Sequence, residues 1–156
     1  MCSVGLLKKN RELHPLHQFV STSPEETLRH GSVIAPLLKP NSILALIGDL
    51  GAGKTTLIKG LVQALFPSFL PEEIQSPTFT YLHVLETNPP IYHFDLYRIQ
   101  SQQEFLAMGF DEYFFQSGIC LIEWAECILP LLPFASLVLE ILHVDQESRK
   151  LSLFSV

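Results

Sequence analysis

The sequence predicts an α/β domain whose sheet is parallel around a phosphate-binding loop, antiparallel toward its edge strands and flanked by helices. Three observations predict it. The pattern G-x-x-x-x-G-K-[ST] is complete at Gly48-Asp49-Leu50-Gly51-Ala52-Gly53-Lys54-Thr55. Two short apolar runs, Ile43-Leu44-Ala45-Leu46-Ile47 and Ile119-Cys120-Leu121-Ile122, have the composition of strands buried on both faces. Strand-like and helix-like patterns interleave along the chain, with no repeat, low-complexity tract or linker between them.

Taken in order, Met1 to about Pro15 reads as a loose N-terminal tail, leaving 16–156 as one domain. His17 to Val20 is a short strand candidate. Ser23-Pro24-Glu25-Glu26 is a helix start, with Ser23 as N-cap, Pro24 at N1 and Glu26 completing a capping box. The helix continues from Thr27 to Leu38, weakened by Gly31 and Pro36, and Lys39-Pro40-Asn41 turns the chain into the strand Ile43 to Ile47. After the loop, Leu57, Ile58, Leu61, Val62 and Leu65 fall at helical spacing within Thr56 to Leu65. Pro67 to Pro71 breaks that helix. Thr78 to Val84 alternates and is rich in β-formers, Asn88-Pro89-Pro90 turns, and Ile91 to Asp95 returns as the second arm of a hairpin. Ser101 to Phe115 reads as one or two short helices broken at Gly109. Ile119 to Ile122 is a strand, and Leu137 to Val144 and Leu151 to Val156 are two more around Asp145-Gln146-Glu147-Ser148.

The loop carries the chemistry. Strand, glycine-rich turn and helix follow one another, as in a P-loop NTPase-like sheet. Glycines admit positive φ and let the backbone approach a phosphate without an intervening Cβ. Successive N–H groups and the helix start converge on the anion. Lys54 reaches the β- and γ-phosphates, and the Thr55 hydroxyl sits on Mg²⁺. At ordinary residue frequencies, a chance match in 156 residues has odds of roughly 1 in 200.

Composition bounds the partners. The chain is 47% hydrophobic and 17% charged, below the usual ~25%, which suggests either a large core or a surface covered by another protein. The net charge is −6, and there is no basic block beyond Lys8-Lys9 and Arg149-Lys150, so a broad nucleic-acid footprint is excluded. Three cysteines without CxxC spacing suggest neither a disulfide framework nor a zinc site, and reduced cytoplasm fits best. Cys120 reads as a small buried hydrophobe. No signal peptide is expected at the start, and Ile119 to Leu142, the most apolar region, is interrupted by charges and prolines and is no membrane span.

A phosphate loop needs a carboxylate for Mg²⁺ at the end of a neighbouring apolar strand. Asp95 and Glu123 both fit, each at the carboxyl edge where open α/β sheets bind ligands. Glu123 is assigned the direct metal role and Asp95 an indirect or water-positioning one, an order that sequence does not fix. Thr78, in Ser76-Pro77-Thr78, is a candidate sensor of the γ-phosphate or an ordinary turn residue. His93 satisfies a buried polar position or acts as a base. Trp124 covers nucleotide or anchors the core. Arg98 neutralises phosphate or pairs with Asp95 or Asp111.

Gly48 to Thr56, Ser76-Pro-Thr-Phe79, His93-Phe-Asp-Leu-Tyr-Arg98, Gly109-Phe-Asp-Glu-Tyr113 and Ile122-Glu-Trp-Ala-Glu126 occur in this order. The series resembles the TsaE (YjeE) family of bacterial P-loop ATPases, over about Ser23 to Arg149. The resemblance implies an ATP- and Mg²⁺-dependent cytoplasmic partner of the TsaB–TsaD pair in forming N6-threonylcarbamoyladenosine at position 37 of tRNA, with tRNA reached through the complex. It implies nucleotide contacts from Leu50, Gly51, Ala52, Gly53, Lys54, Thr55 and Thr56, with Trp124 in the Ile-Glu-Trp motif. It implies further contacts from the segment opening the first helix, here Ser23-Pro24, and from a late Gly-Arg, here Ser148-Arg149. Thr55 and Glu123 are then metal ligands with Asp95 as the further acidic residue, and Lys54, Asp95 and Glu123 form the catalytic set. The runner-up is a small-molecule or nucleoside kinase, which requires an Arg-rich lid. Only Arg98 and Arg149 are placed for one.

Overall fold

The computed structural model describes residues 12–156. Ten regular elements are named here: β1 (His14–Ser21), α1 (Pro24–Ile34), β2 (Ile43–Ile47), α2 (Lys54–Leu65), β3 (Leu82–Leu85), β4 (Ile91–Asp95), α3 (Gln102–Ala107), β5 (Ile119–Glu123), β6 (Leu137–His143) and β7 (Arg149–Ser155). The strands form one sheet in the order β1-β7-β6-β2-β5-β4-β3. β2 lies between β6 and β5 and is parallel to both, and β4 continues parallel to β5. β3 pairs antiparallel with β4, while β7 and β1 close the other side antiparallel. The expected parallel centre with antiparallel edges is therefore what forms, and antiparallel strands stand at both ends.

The pleat sends alternate residues of β2 to opposite layers. Leu44 and Leu46 join α1 and α2 around Ile34, Leu57, Ile58 and Leu61. Ile43, Ala45 and Ile47 join an aromatic layer with Phe94, Phe105, Phe110 and Phe114. Covered on both faces, the central strand has no use for polar residues, which accounts for its continuous apolar run.

Two glycines set how closely α1 lies on α2. A Cβ on Gly60 would meet the Leu28 carbonyl oxygen at 1.9 Å, and one on Gly31 would meet the Leu61 nitrogen at 2.5 Å. Gly31 thus serves the helix crossing, and α1 runs through it unbroken. Pro36 does end the α-helix: α1 stops at Ile34 and a 3-10 segment, Ala35–Leu37, replaces the expected last turn.

Other boundaries differ from expectation for local reasons. β1 begins at His14, so His14 and Pro15 belong to the sheet, where Pro15 stands on an edge strand beside a register shift. Residues 1–11 of the expected tail, with Lys8-Lys9 and Cys2, lie outside the described residues. The capping box is half formed. Ser23 Oγ accepts the Glu26 N–H, but Glu26 Oε2 accepts from the Thr22 N–H and hydroxyl, one residue upstream of Ser23. Thr78 to Thr80 form a turn, not the start of a strand, and Tyr81, at φ 63°, redirects the chain into β3. Among the described residues no helix is long and apolar enough to cross a membrane.

Candidate functional site at the phosphate loop

The loop leaves the carboxyl end of β2 and turns directly into α2. Gly48, Gly51 and Gly53 take φ of 145°, 74° and 109°, a region costly for residues with a Cβ. At Gly48 space is also lacking, since a Cβ would meet the Ile141 carbonyl oxygen at 2.4 Å. Gly53 is the N-cap of α2 and brings no side-chain acceptor to its first turn. The N–H groups that open the helix therefore face the cleft with the positive end of the helix dipole behind them.

Lys54 is buried and folded back on the loop. Its Nζ donates to the carbonyl oxygens of Gly48 at 2.6 Å and Asp49 at 2.9 Å, and stands 3.5 Å from the centre of the Trp124 ring. Burial lowers its pKa below the usual lysine value, against the opposing pull of Glu126, Glu123, Asp49 and Asp95. Trp124 has φ 59°, so the chain turns sharply after β5 and sets the indole beside the lysine. Tyr97 meets the indole edge-on, with centroids 4.9 Å apart. Trp124 also packs on the aromatic layer, so it is both core anchor and site wall.

The two acidic residues are direct neighbours across β4 and β5, Asp95 opposite Glu123, and both are buried. Their hydrogen bonds diverge. Thr55 Oγ1 donates to Glu123 Oε2 at 2.8 Å, and His93 Nε2 lies 2.8 Å from Glu123 Oε1. Asp95 Oδ1 accepts the Tyr97 N–H at 2.9 Å, and Oδ2 accepts from the hydroxyls of Thr78, at 2.8 Å, and Ser76. The Ser76–Thr78 segment is thus held to Asp95, which explains why it turns before β3.

A cleft of about 560 Å³ brings together Leu50 to Thr56, Thr78, Asp95, Glu123 and Trp124, with Ser76 and Tyr97 added. The remaining residues expected at the nucleotide, Ser23, Pro24 and Arg149, line a smaller cavity of about 90 Å³ on the other flank of the loop, beside Gly51, Ala52, Gly53 and Thr56. Arg149 is present there although the Gly of the family pattern is Ser148 in this chain. Arg98 pairs with neither acidic candidate; its guanidinium lies over the Phe79 ring at 4.9 Å.

Sequence reasoning did not single out Glu126, whose Oε1 accepts the Gly48 N–H at 3.0 Å and so braces the start of the loop. Nor did it assign Ser76 or Tyr97 a role. Their signal was position: each lies within three residues of a named candidate, in a segment already quoted. Sequence alone leaves His93 between two roles, although its spacing of two from Asp95 places both on one face of β4.

Among the described residues no group of three or more His, Cys, Asp or Glu is arranged to hold a metal. A hydroxyl and a carboxylate in contact are nonetheless the hard oxygen donors that Mg²⁺ uses when phosphates and waters complete its shell. The donor set fits that ion.

Comparison with known proteins agrees with the geometry. The family model "Threonylcarbamoyl adenosine biosynthesis protein TsaE" matches residues 21–151. The tRNA threonylcarbamoyladenosine biosynthesis protein TsaE of Treponema pallidum is 42% identical over 114 residues, 73% of this chain and 82% of that protein. The protein of the same name from Bacillus subtilis is 38% identical over 137 residues, covering 87% and 84%. The crystal structure of YdiB from Bacillus subtilis superposes with a TM-score of 0.73 at 33% identity, covering 94% of this chain and 89% of YdiB. With its P-loop fold and this match over most of its length, the chain belongs to the TsaE family, whose proteins take part in tRNA threonylcarbamoyladenosine biosynthesis.

Proposed function

We propose that this chain, as a single domain over about 14–156, binds and hydrolyses ATP with Mg²⁺ in the cytoplasm as a partner of TsaB and TsaD in modifying position 37 of tRNA. The observation that carries the reading is the 2.8 Å contact between Thr55 and Glu123 at the foot of a phosphate loop, because it joins the two ligands such a site needs. The loop N–H groups and the α2 N-terminus bind the β- and γ-phosphates. Lys54 exchanges its two carbonyl partners for phosphate oxygens. Thr55 and Glu123 would hold Mg²⁺, which would supply positive charge to offset that developing on the phosphates. Asp95, with Ser76 and Thr78 on its oxygens, orients groups around the γ-phosphate without coordinating the metal. Ser23, Pro24 and Arg149 contact the nucleoside flank, and Trp124 covers the phosphates. A chain of net charge −6 suits a factor that reaches tRNA through other proteins.

The kinase reading needs arginines poised over the transferring phosphate. Nothing favours it: Arg98 is occupied with Phe79 and Arg149 belongs to the opposite flank. The deciding experiment is phosphate release from ATP by the purified protein, alone and with TsaB–TsaD, beside Lys54→Ala. Weak release alone, stimulated by the pair and lost in the variant, is expected. No binding to the pair and no stimulation would sink the reading, and phosphate found on an acceptor other than water would restore the kinase.

A further inference from the structure

We propose that His93 is a positioning residue that fixes the Glu123 carboxylate and thereby sets its affinity for the metal. The inference rests on the Mg²⁺–nucleotide reading above. His93 is fully buried in β4, and one ring nitrogen serves only Glu123: Nε2 lies 2.8 Å from Oε1. A carboxylate can only accept, so Nε2 carries the proton and donates; the tautomer follows from that partner. The other nitrogen, Nδ1, is buried with no hydrogen-bond partner. Leaving such an atom unpaired is destabilising, a penalty that an apolar side chain of similar shape would avoid. Packing alone therefore does not account for an imidazole here, while its hold on Glu123 does.

The sheet makes the contact possible. His93 pairs with Leu121, so Glu123 is its diagonal neighbour, two residues on and on the same face. Asp95, the direct neighbour of Glu123, gives it no hydrogen bond, having Tyr97, Thr78 and Ser76 as its own donors. Glu123 thus has two anchors, one per oxygen: His93 on Oε1 and Thr55 on Oε2. The Thr55 anchor faces the cleft and is surrendered when that hydroxyl turns to a cation. His93 is behind the carboxylate and stays. It keeps Oε2 presented to the cleft and stops the group from rotating, the role that outer partners of metal-binding carboxylates fulfil.

The test uses the full chain with AMPPNP, reading Mn²⁺ affinity of the nucleotide complex by electron paramagnetic resonance and AMPPNP affinity in EDTA by calorimetry. His93→Leu should weaken Mn²⁺ by about tenfold or more while metal-free AMPPNP binding stays unchanged. His93→Gln, whose amide reaches a similar point and donates, should recover most of the affinity; His93→Asn, too short, should not. Wild-type Mn²⁺ affinity in His93→Leu, or an equal loss of AMPPNP in EDTA, overturns the proposal. If His93→Leu fails to fold by circular dichroism, equal Mn²⁺ affinities for the Gln and Asn variants overturn it instead. A wild-type protein that binds no AMPPNP fails the Mg²⁺–nucleotide reading itself, before any variant is compared.

Discussion

Asp95 and Glu123 face each other across adjacent parallel strands, yet they share no hydrogen-bond donor. Glu123 is held by the loop threonine and a buried histidine. Asp95 is held by the turn that precedes β3 and by the chain that follows β4. Two carboxylates at one sheet edge are thereby given different hydrogen-bond partners.

That division predicts separable mutant phenotypes. Glu123→Ala should lower Mg²⁺-dependent ATP hydrolysis by about 10²-fold and leave nucleotide affinity within a few-fold, because only metal placement is removed. Asp95→Asn should also slow hydrolysis but keep Mn²⁺ affinity near wild type. Paired titrations of nucleotide and Mn²⁺ check both; equal loss of nucleotide and metal binding in Glu123→Ala would remove its assignment as a ligand.

Burial protects Cys120. Its pKa is pushed up to about 12 by desolvation, so almost no thiolate exists at neutral pH. Iodoacetamide should leave Cys120 unmodified in the native protein and alkylate it fully in denaturant, with peptide mass spectrometry as the readout. Native labelling at Cys120 would mean that β5 opens far more readily than its place in the sheet suggests.

Much of this was legible in the sequence, and what was not has a common cause. β2 and β5 could be read because strands covered on both faces must be continuously apolar, and β4 because the chain returns as a hairpin arm after Asn88-Pro89-Pro90; β4 and β5 each end on an acid. Thr78 to Tyr81 was misread because Thr and aromatic residues favour strands in general, whereas here the hydroxyls of Ser76 and Thr78 are drawn to Asp95, 17 residues away from Thr78. Gly31 counted against a helix in any local reading, and only its neighbour Gly60 in three dimensions explains it. His93 and Glu126 had unremarkable spacing, since their roles consist of contacts with Glu123 and the Gly48 N–H that no local pattern encodes. Propensity reports on neighbours in the chain, and these residues answer to neighbours across the sheet.

The Gly31–Gly60 crossing makes a prediction opposite in sign to helix propensity. Alanine in place of a mid-helix glycine normally adds about 1 kcal/mol. At Gly60 the new methyl would stand 1.9 Å from the Leu28 carbonyl oxygen, a backbone atom that can yield only if α1 shifts. Gly60→Ala should therefore destabilise the fold by about 1–3 kcal/mol. Urea unfolding followed by circular dichroism reads the sign directly, and a stabilised variant would show that the helices separate at little cost.

Lys54 links the loop to pH. Burial lowers its pKa from the ordinary 10.5, so the unfolded chain binds more protons at this residue than the folded one between the two values. Stability then rises with pH through that window, because the cost of burying the cation disappears as the amine loses its proton. Lys54→Met never bears that cost. Its advantage over wild type in the absence of nucleotide should be full below the lowered pKa and shrink as pH climbs toward 10.5. Urea midpoints for both proteins at about pH 7 and about pH 10 isolate the effect, since the two chains differ at this residue alone. Nucleotide reverses the preference: phosphate favours the protonated amine, so wild type should gain more stability from ATP at the lower pH, and Lys54→Met should gain little at either. A gap between the two proteins that is constant across pH would show that Lys54 is solvated in solution and does not rest on Gly48, Asp49 and Trp124.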